Sequence, residues 1–303
     1  MQDWSRRAFL ESSVVGGGVL MTAPMLFGAN EPLAKDDPNR FQIGIQEYTF
    51  HSWLGKKLDH LDYPALVKKE LGITHVEYWS GPFAGRHTDK AYVGELKKRT
   101  DGEGITNVLI LVDMRQELDA KDAATRKQSV EQHKPWVDCA AQLGCGAIRV
   151  NCRSGGDRQA NLDAAADGVG ALCDYAKDSG VKIIIEPHGR NSQDPDWLLA
   201  AMKQIDKPNL GILPDFNNFG NYDRYEAVQK TLPYAAAVCA KVVGMDEAGN
   251  AKRTDYYRML KLVYESAYAG VISIEYEERG KDPLEGSRKT KALIERALAK
   301  ARG

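Results

Sequence analysis

Four side chains able to hold a cation stand at the ends of successive apolar runs, and that placement leaves the chain few folds. Glu186 closes Lys182-Ile-Ile-Ile-Glu186, Asp215 closes Leu210-Gly-Ile-Leu-Pro-Asp215, and Glu275 closes Val271-Ile-Ser-Ile-Glu275. Between the last two, Ala237-Val-Cys-Ala-Lys241 supplies Cys239 and Lys241. Runs this apolar read as strands buried on both faces. A carboxylate at the end of such a strand is costly unless something positive sits nearby. When several strands do the same thing, the simplest cause is one shared site at the C-terminal face of a parallel barrel. The pattern predicts a metal-dependent enzyme.

The first 34 residues are set apart. Ser5-Arg-Arg-Ala-Phe-Leu10 is a twin-arginine pattern, followed by a short, glycine-interrupted apolar run from Val14 to Phe27 and small residues near Ala29 and Ala34. This layout matches a bacterial export signal better than a membrane span, because the apolar run is too short. It predicts an exported, periplasmic protein with no membrane association once the signal is removed. The remaining 35–303, about 270 residues, suit one (β/α)8 barrel domain.

Composition removes other classes. Net charge is −1 with acids and bases interspersed, so nothing marks a nucleic-acid or membrane partner. The five cysteines, Cys139, Cys145, Cys152, Cys173 and Cys239, have no metal-ligand spacing and lie mostly in apolar segments. No essential disulfide is expected. Nothing in the sequence specifies an oligomer.

Strand-like runs centre near Ile45, Val76, Leu111, Ile148, Ile184, Ile212, Val238 and Ile274, each roughly one strand-loop-helix-loop unit from the next. Between them Tyr63–Leu71, Thr125–Leu143, Asn161–Asp178 and Asp194–Ile205 carry helical apolar spacing. Eight such units close a TIM barrel, an α/β fold whose strand ends share one mouth. Those ends are polar: Glu47 and Tyr48, then Glu77, Tyr78 and Trp79, Asp113, Arg149 and Asn151, and Glu186 and His188. Any one of them alone reads better as a solvated loop residue; together they point to a site.

The succession Ile185-Glu-Pro-His188, Pro214-Asp-Phe-Asn-Asn218, Val238-Cys-Ala-Lys241 and Ile274-Glu-Tyr-Glu277 resembles the xylose isomerase-like barrel superfamily. Within it the pattern is similar to the sugar phosphate isomerase and epimerase branch that includes D-tagatose 3-epimerase. The resemblance implies a divalent metal held by Glu186, Asp215, position 239 and Glu275, with Glu186 and Glu275 also serving as catalytic acid and base. It implies an isomerase or epimerase that removes a proton beside a carbonyl and passes through an enediolate. His188, Arg149, Asn151, Lys241, Glu77 and Trp79 would bind the sugar, with Trp53 and Tyr78 as further candidates.

Position 239 departs from the family's Val-His-x-Lys, reading Val-Cys-Ala-Lys. Three carboxylates suit manganese or magnesium, whereas ligation by a thiolate selects zinc. The other reading makes Cys239 a packing residue. Lys241, two residues on and on the same strand face, supplies a fixed cation that could pair with Asp215 or Glu275. Two further functions stay open: a lyase or hydrolase of 3-keto-glycosides using the same groups, and a noncatalytic sugar binder.

Overall fold

In the computed structural model, residues 34, 35 and 37–303 are described. The export signal assigned to residues 1–34 therefore lies, Ala34 apart, outside the described residues. Among these, eight strands form one sheet: β1 (Phe41–Gln46), β2 (His75–Trp79), β3 (Thr106–Leu111), β4 (Ala147–Val150), β5 (Lys182–Ile185), β6 (Leu210–Ile212), β7 (Val238–Val242) and β8 (Gly270–Tyr276). All ladders are parallel, in the order β6-β5-β4-β3-β2-β1-β8-β7. The remaining gap, between β6 and β7, is bridged by the parallel pairs Ile212↔Ala235 and Asp215↔Cys239. The sheet thus closes into the expected barrel.

Local chemistry sets the helix boundaries. Among the described residues an aspartate caps the start of seven α-helices, its side chain accepting from backbone N–H groups that have no partner within the helix. These are Asp89, Asp122, Asp157, Asp194, Asp223, Asp255 and Asp282, each worth about 1 kcal/mol. Asp122 and Asp157 explain why two helices begin before the expected residues, running Ala123–Leu143 and Arg158–Ala176. The cap, not the first apolar residue, starts the helix. Gly144 ends the first of these in the left-handed conformation at φ 76°.

Two expected strand centres lie at strand ends. Leu111 is the last residue of β3, because the apolar run continues past the ladder into Val112. Val238 opens β7, because Ala235 before it is already committed to the bridge with Ile212. No helix among the described residues is long and apolar enough to cross a membrane. All five cysteines are buried and free.

The barrel interior is filled by a compact apolar set including Leu109, Leu111, Ala147, Ile184, Leu213, Ala237 and Val271. Beside it stands Gly44 of β1, where an added Cβ would lie 2.5 Å from Val271 Cγ1 and 2.7 Å from Ser273 Oγ. That room lets the Ser273 hydroxyl bond the buried Glu77 carboxylate. Gly44→Ala is therefore expected to cost about 1–3 kcal/mol by overpacking, read as a lower urea midpoint at unchanged slope.

Candidate metal centre

Four consecutive strands bring together Glu186 and Asp215, just past β5 and β6, Cys239, the second residue of β7, and Glu275, near the end of β8. One ligand atom from each lies within 4.8 Å of all the others, and all four residues are buried. Backbone chemistry places two of them. Asp215 Oδ1 accepts from Asn217 N at 2.6 Å and Asn218 N at 2.9 Å, a tight turn that aims Oδ2 inward. Cys239 N donates to Pro214 O at 2.9 Å, and Phe216 N to Cys239 O at 3.1 Å, so the bridge that closes the barrel also sets their spacing.

The electrostatics favour a cation. Glu186 Oε1 accepts from Asn218 Nδ2 at 3.1 Å. Its Oε2 lies 2.8 Å from Arg149 Nε, close enough for an ion pair but without hydrogen-bond alignment. Asp215 Oδ2 is also buried with no hydrogen-bond partner among the described residues, its nearest cation being Lys241 Nζ at 3.7 Å. Burial pushes the Asp215 carboxyl up; Lys241 opposes this, while Glu186 and Glu275 add to it. Cys239 Sγ donates to Glu275 Oε2 at 3.2 Å, and burial followed by the neighbouring carboxylates raises its thiol. Two orphaned carboxylate oxygens and a sulfur converging on one space form a donor set that can coordinate a divalent metal.

The arrangement extends round the mouth as a belt. Trp79 N donates to Glu47 Oε2 at 3.0 Å, and Trp79 Nε1 to Asp113 Oδ2 at 2.9 Å. Asp113 Oδ1 accepts from Arg149 at 2.8 Å and Asn151 Nδ2 at 2.7 Å. Arg149 reaches Glu186, Glu186 meets Asn218, and Asn218 Oδ1 accepts from Lys241 Nζ at 3.3 Å. Lys241 lies 3.1 Å from Glu275 Oε2, and Tyr276 N closes the ring by donating to Thr49 Oγ1 at 3.1 Å. Burial opposes ionisation of Asp113, but Arg149, Asn151 and Trp79 outweigh it and hold its carboxyl well below the ordinary range.

Of the expected sugar-binding residues, Arg149, Asn151, Lys241 and Trp79 stand on this belt. His188 is half-buried just past β5, its backbone N donating to Ser192 Oγ at 3.2 Å. Glu77 is placed differently: it is fully buried beneath the mouth against Ser273, so it forms the floor and not the open surface. Strand alternation turns Tyr78 the other way, into the helix layer, where its hydroxyl donates to Asn107 at 2.7 Å. Trp53 packs on Phe50 and under Lys57 instead of beside Trp79; Tyr48 meets Trp79 edge-on at 5.0 Å. Asn218 and Glu277 were not assigned from sequence. Glu277, two residues beyond Glu275, lies 3.4 Å from Lys241, and the period of two along β8 was the available signal.

Asp113 is the residue on which the β2–β4 side of the belt converges. Asp113→Ala should leave the buried Arg149 half-paired and destabilise the protein by about 2–3 kcal/mol in chemical unfolding.

The sequence profile of the xylose isomerase-like TIM barrel family matches residues 66–298. No functionally curated protein matches. Among solved structures, an L-ribulose 3-epimerase is similar at TM-score 0.72 and 16% identity, over 86% of this chain and 95% of that one. A 3-keto-D-glucoside 4-epimerase from E. coli is similar at TM-score 0.68 and 14% identity, over 85% of this chain and 99% of the other. A xylose isomerase domain protein from Planctomyces limnophilus follows at TM-score 0.63 and 18% identity, over 87% and 97%. At such identities the likeness to these structures is one of fold.

Proposed function

The chain belongs to the xylose isomerase-like TIM barrel family, and from that premise we propose that it is a divalent-metal-dependent sugar isomerase or epimerase. The observation that carries the reading is the four-donor cluster, in which Glu186 Oε2 and Asp215 Oδ2 are buried without a hydrogen-bond partner among the described residues. The folds shared with epimerases of L-ribulose and of a 3-keto-D-glucoside support a carbohydrate bearing a carbonyl as substrate.

Epimerising a sugar means taking a proton from a carbon beside a carbonyl and returning one on the other face. A divalent ion in the cluster supplies Lewis-acid stabilisation of the negative charge that develops on the carbonyl oxygen. Glu186, directly after β5, and Glu275, near the end of β8, act as the base and acid. Positioned proton transfer of this kind contributes about 10²- to 10⁴-fold. Arg149 and Asn151, both oriented by Asp113, and the half-buried His188 hold substrate hydroxyls, while Trp79 offers a ring against the sugar. Three carboxylates favour manganese or magnesium; Cys239 Sγ inside the same 4.8 Å set tilts the choice toward zinc.

Charge narrows the substrate. Round the mouth carboxyls outnumber cations, Asp113, Glu186, Asp215, Glu275 and Glu277 standing against Arg149 and Lys241. An uncharged sugar fits this field and a phosphate ester does not. The twin-arginine pattern supports a periplasmic or otherwise exported place of action. A second reading, elimination from or hydrolysis of a 3-keto-glycoside, is favoured by Glu277, a half-buried carboxyl raised by burial next to Glu275. It would stand where a leaving oxygen needs a proton.

Elemental analysis of the purified protein is expected to find about one divalent ion per chain, lost in a Glu186→Gln, Glu275→Gln double variant. The metal identified decides the part played by Cys239. With keto-sugars in D2O, NMR should show deuterium entering beside the carbonyl, with either single variant slower by about 10²- to 10⁴-fold. Release of an aglycone would select the second reading. Protein that takes up no metal even in excess would sink both.

A further inference from the structure

Lys241 stands inside the cluster it neutralises. Its ammonium has four oxygen neighbours, and they divide into two kinds. Asp215 Oδ2 at 3.7 Å and Glu275 Oε2 at 3.1 Å come from residues of the candidate metal-ligand set. Glu277 Oε1 at 3.4 Å and Asn218 Oδ1 at 3.3 Å do not. The lysine side chain is only 5% exposed, so the charge has no route into bulk water and must stay paired within the mouth.

Its backbone is fixed. Lys241 pairs with Glu275 in the β7–β8 ladder, and its carbonyl accepts from Asn217 Nδ2 at 2.6 Å and the Tyr256 hydroxyl at 3.1 Å. Only the flexible end of the side chain can shift. One direction leads to Asp215 and Glu275, the other to Glu277, whose side chain is 28% exposed and faces the opening.

We propose that Lys241 is a built-in competitor for the metal, and that Glu277 is the group to which it retires when a divalent ion enters. This rests on the metal reading above. Without an ion, the ammonium holds Asp215 and Glu275 together and prevents two buried carboxylates from repelling each other. With an ion present, two cations cannot share those oxygens, and the lysine moves to the pair of acceptors outside the ligand set. The site is thereby tuned to a weaker grip than its carboxylates alone would give, and Glu277 sets how easily the lysine yields.

The test is isothermal titration of chelator-treated, folded protein with manganese and with zinc, alongside melting curves with and without metal. Lys241→Met is expected to bind manganese at least tenfold more tightly than wild type, to melt lower without metal, and to gain more on adding it. Lys241→Arg, which keeps the charge, should stay within about threefold of wild type. Glu277→Gln should weaken binding several-fold, and this loss should largely vanish in the Lys241→Met background. Should the methionine variant not fold, Lys241→Gln carries the same comparison with a neutral polar end. If wild type binds and the neutral variants bind no more tightly, or if the Glu277 effect is equal in both backgrounds, this proposal is overturned while the metal reading stands. If neither protein binds any divalent ion, both fall. If metal bound only after the lysine charge was removed, the lysine would not yield to an ion in the wild type, and both the retreat proposed here and the metal reading would fall.

Discussion

The barrel closes where its candidate ligands meet. β6 is three residues long, and its junction with β7 is completed by the Asp215↔Cys239 bridge and the hydrogen bonds at Pro214 and Cys239. The backbone that seals the sheet therefore dictates how far apart two of the four donor side chains can be. Glu275, paired with Lys241 across the next ladder, is tied to the same frame. A site built this way is preorganised by main-chain hydrogen bonds, not by side-chain packing. The exchange of donor type at position 239 is correspondingly a change of chemistry and not of fold.

The two ends of the barrel use charge in opposite ways. At the N-terminal end, Arg40 donates to the carbonyls of Tyr264, Ser266 and Tyr268, tying the entry of β1 to the turn before β8. Its charge is absorbed by carbonyl oxygens at a helix C-terminus, the favourable sign for that position. At the C-terminal end charged side chains pair with one another at 2.8–3.7 Å, with carboxylates in excess. The division agrees with the separation of stability and function between the faces of such barrels.

Much of this was legible in the sequence because it depends on local order. Each strand is an apolar run, most of the longer helices begin at a capping aspartate, and the acids fall where those runs stop. What depends on neighbouring strands was not legible. Asp113 looks like any strand-end acid until Trp79, Arg149 and Asn151 are seen to converge on it. Asn218 reads as part of a turn, and only the fold carries its amide to both Glu186 and Lys241. The depth of Glu77 was not legible for a related reason: sequence tells which face of a strand a residue occupies, but not how deep in the barrel that face lies.

That depth has a consequence for the site above it. Burial pushes the Glu77 carboxyl up to about 8, with Glu275 and Glu186 acting in the same direction. The Ser273 hydroxyl, which donates to it, opposes that rise, and among the described residues no ion pair reaches it. Burial raises Asp215 in the same way, but there Lys241 stands 3.7 Å away and opposes the rise. The fixed ammonium is thus placed among the candidate ligands and not at the floor, and the two levels of the barrel differ in the counter-charge each carboxyl is given.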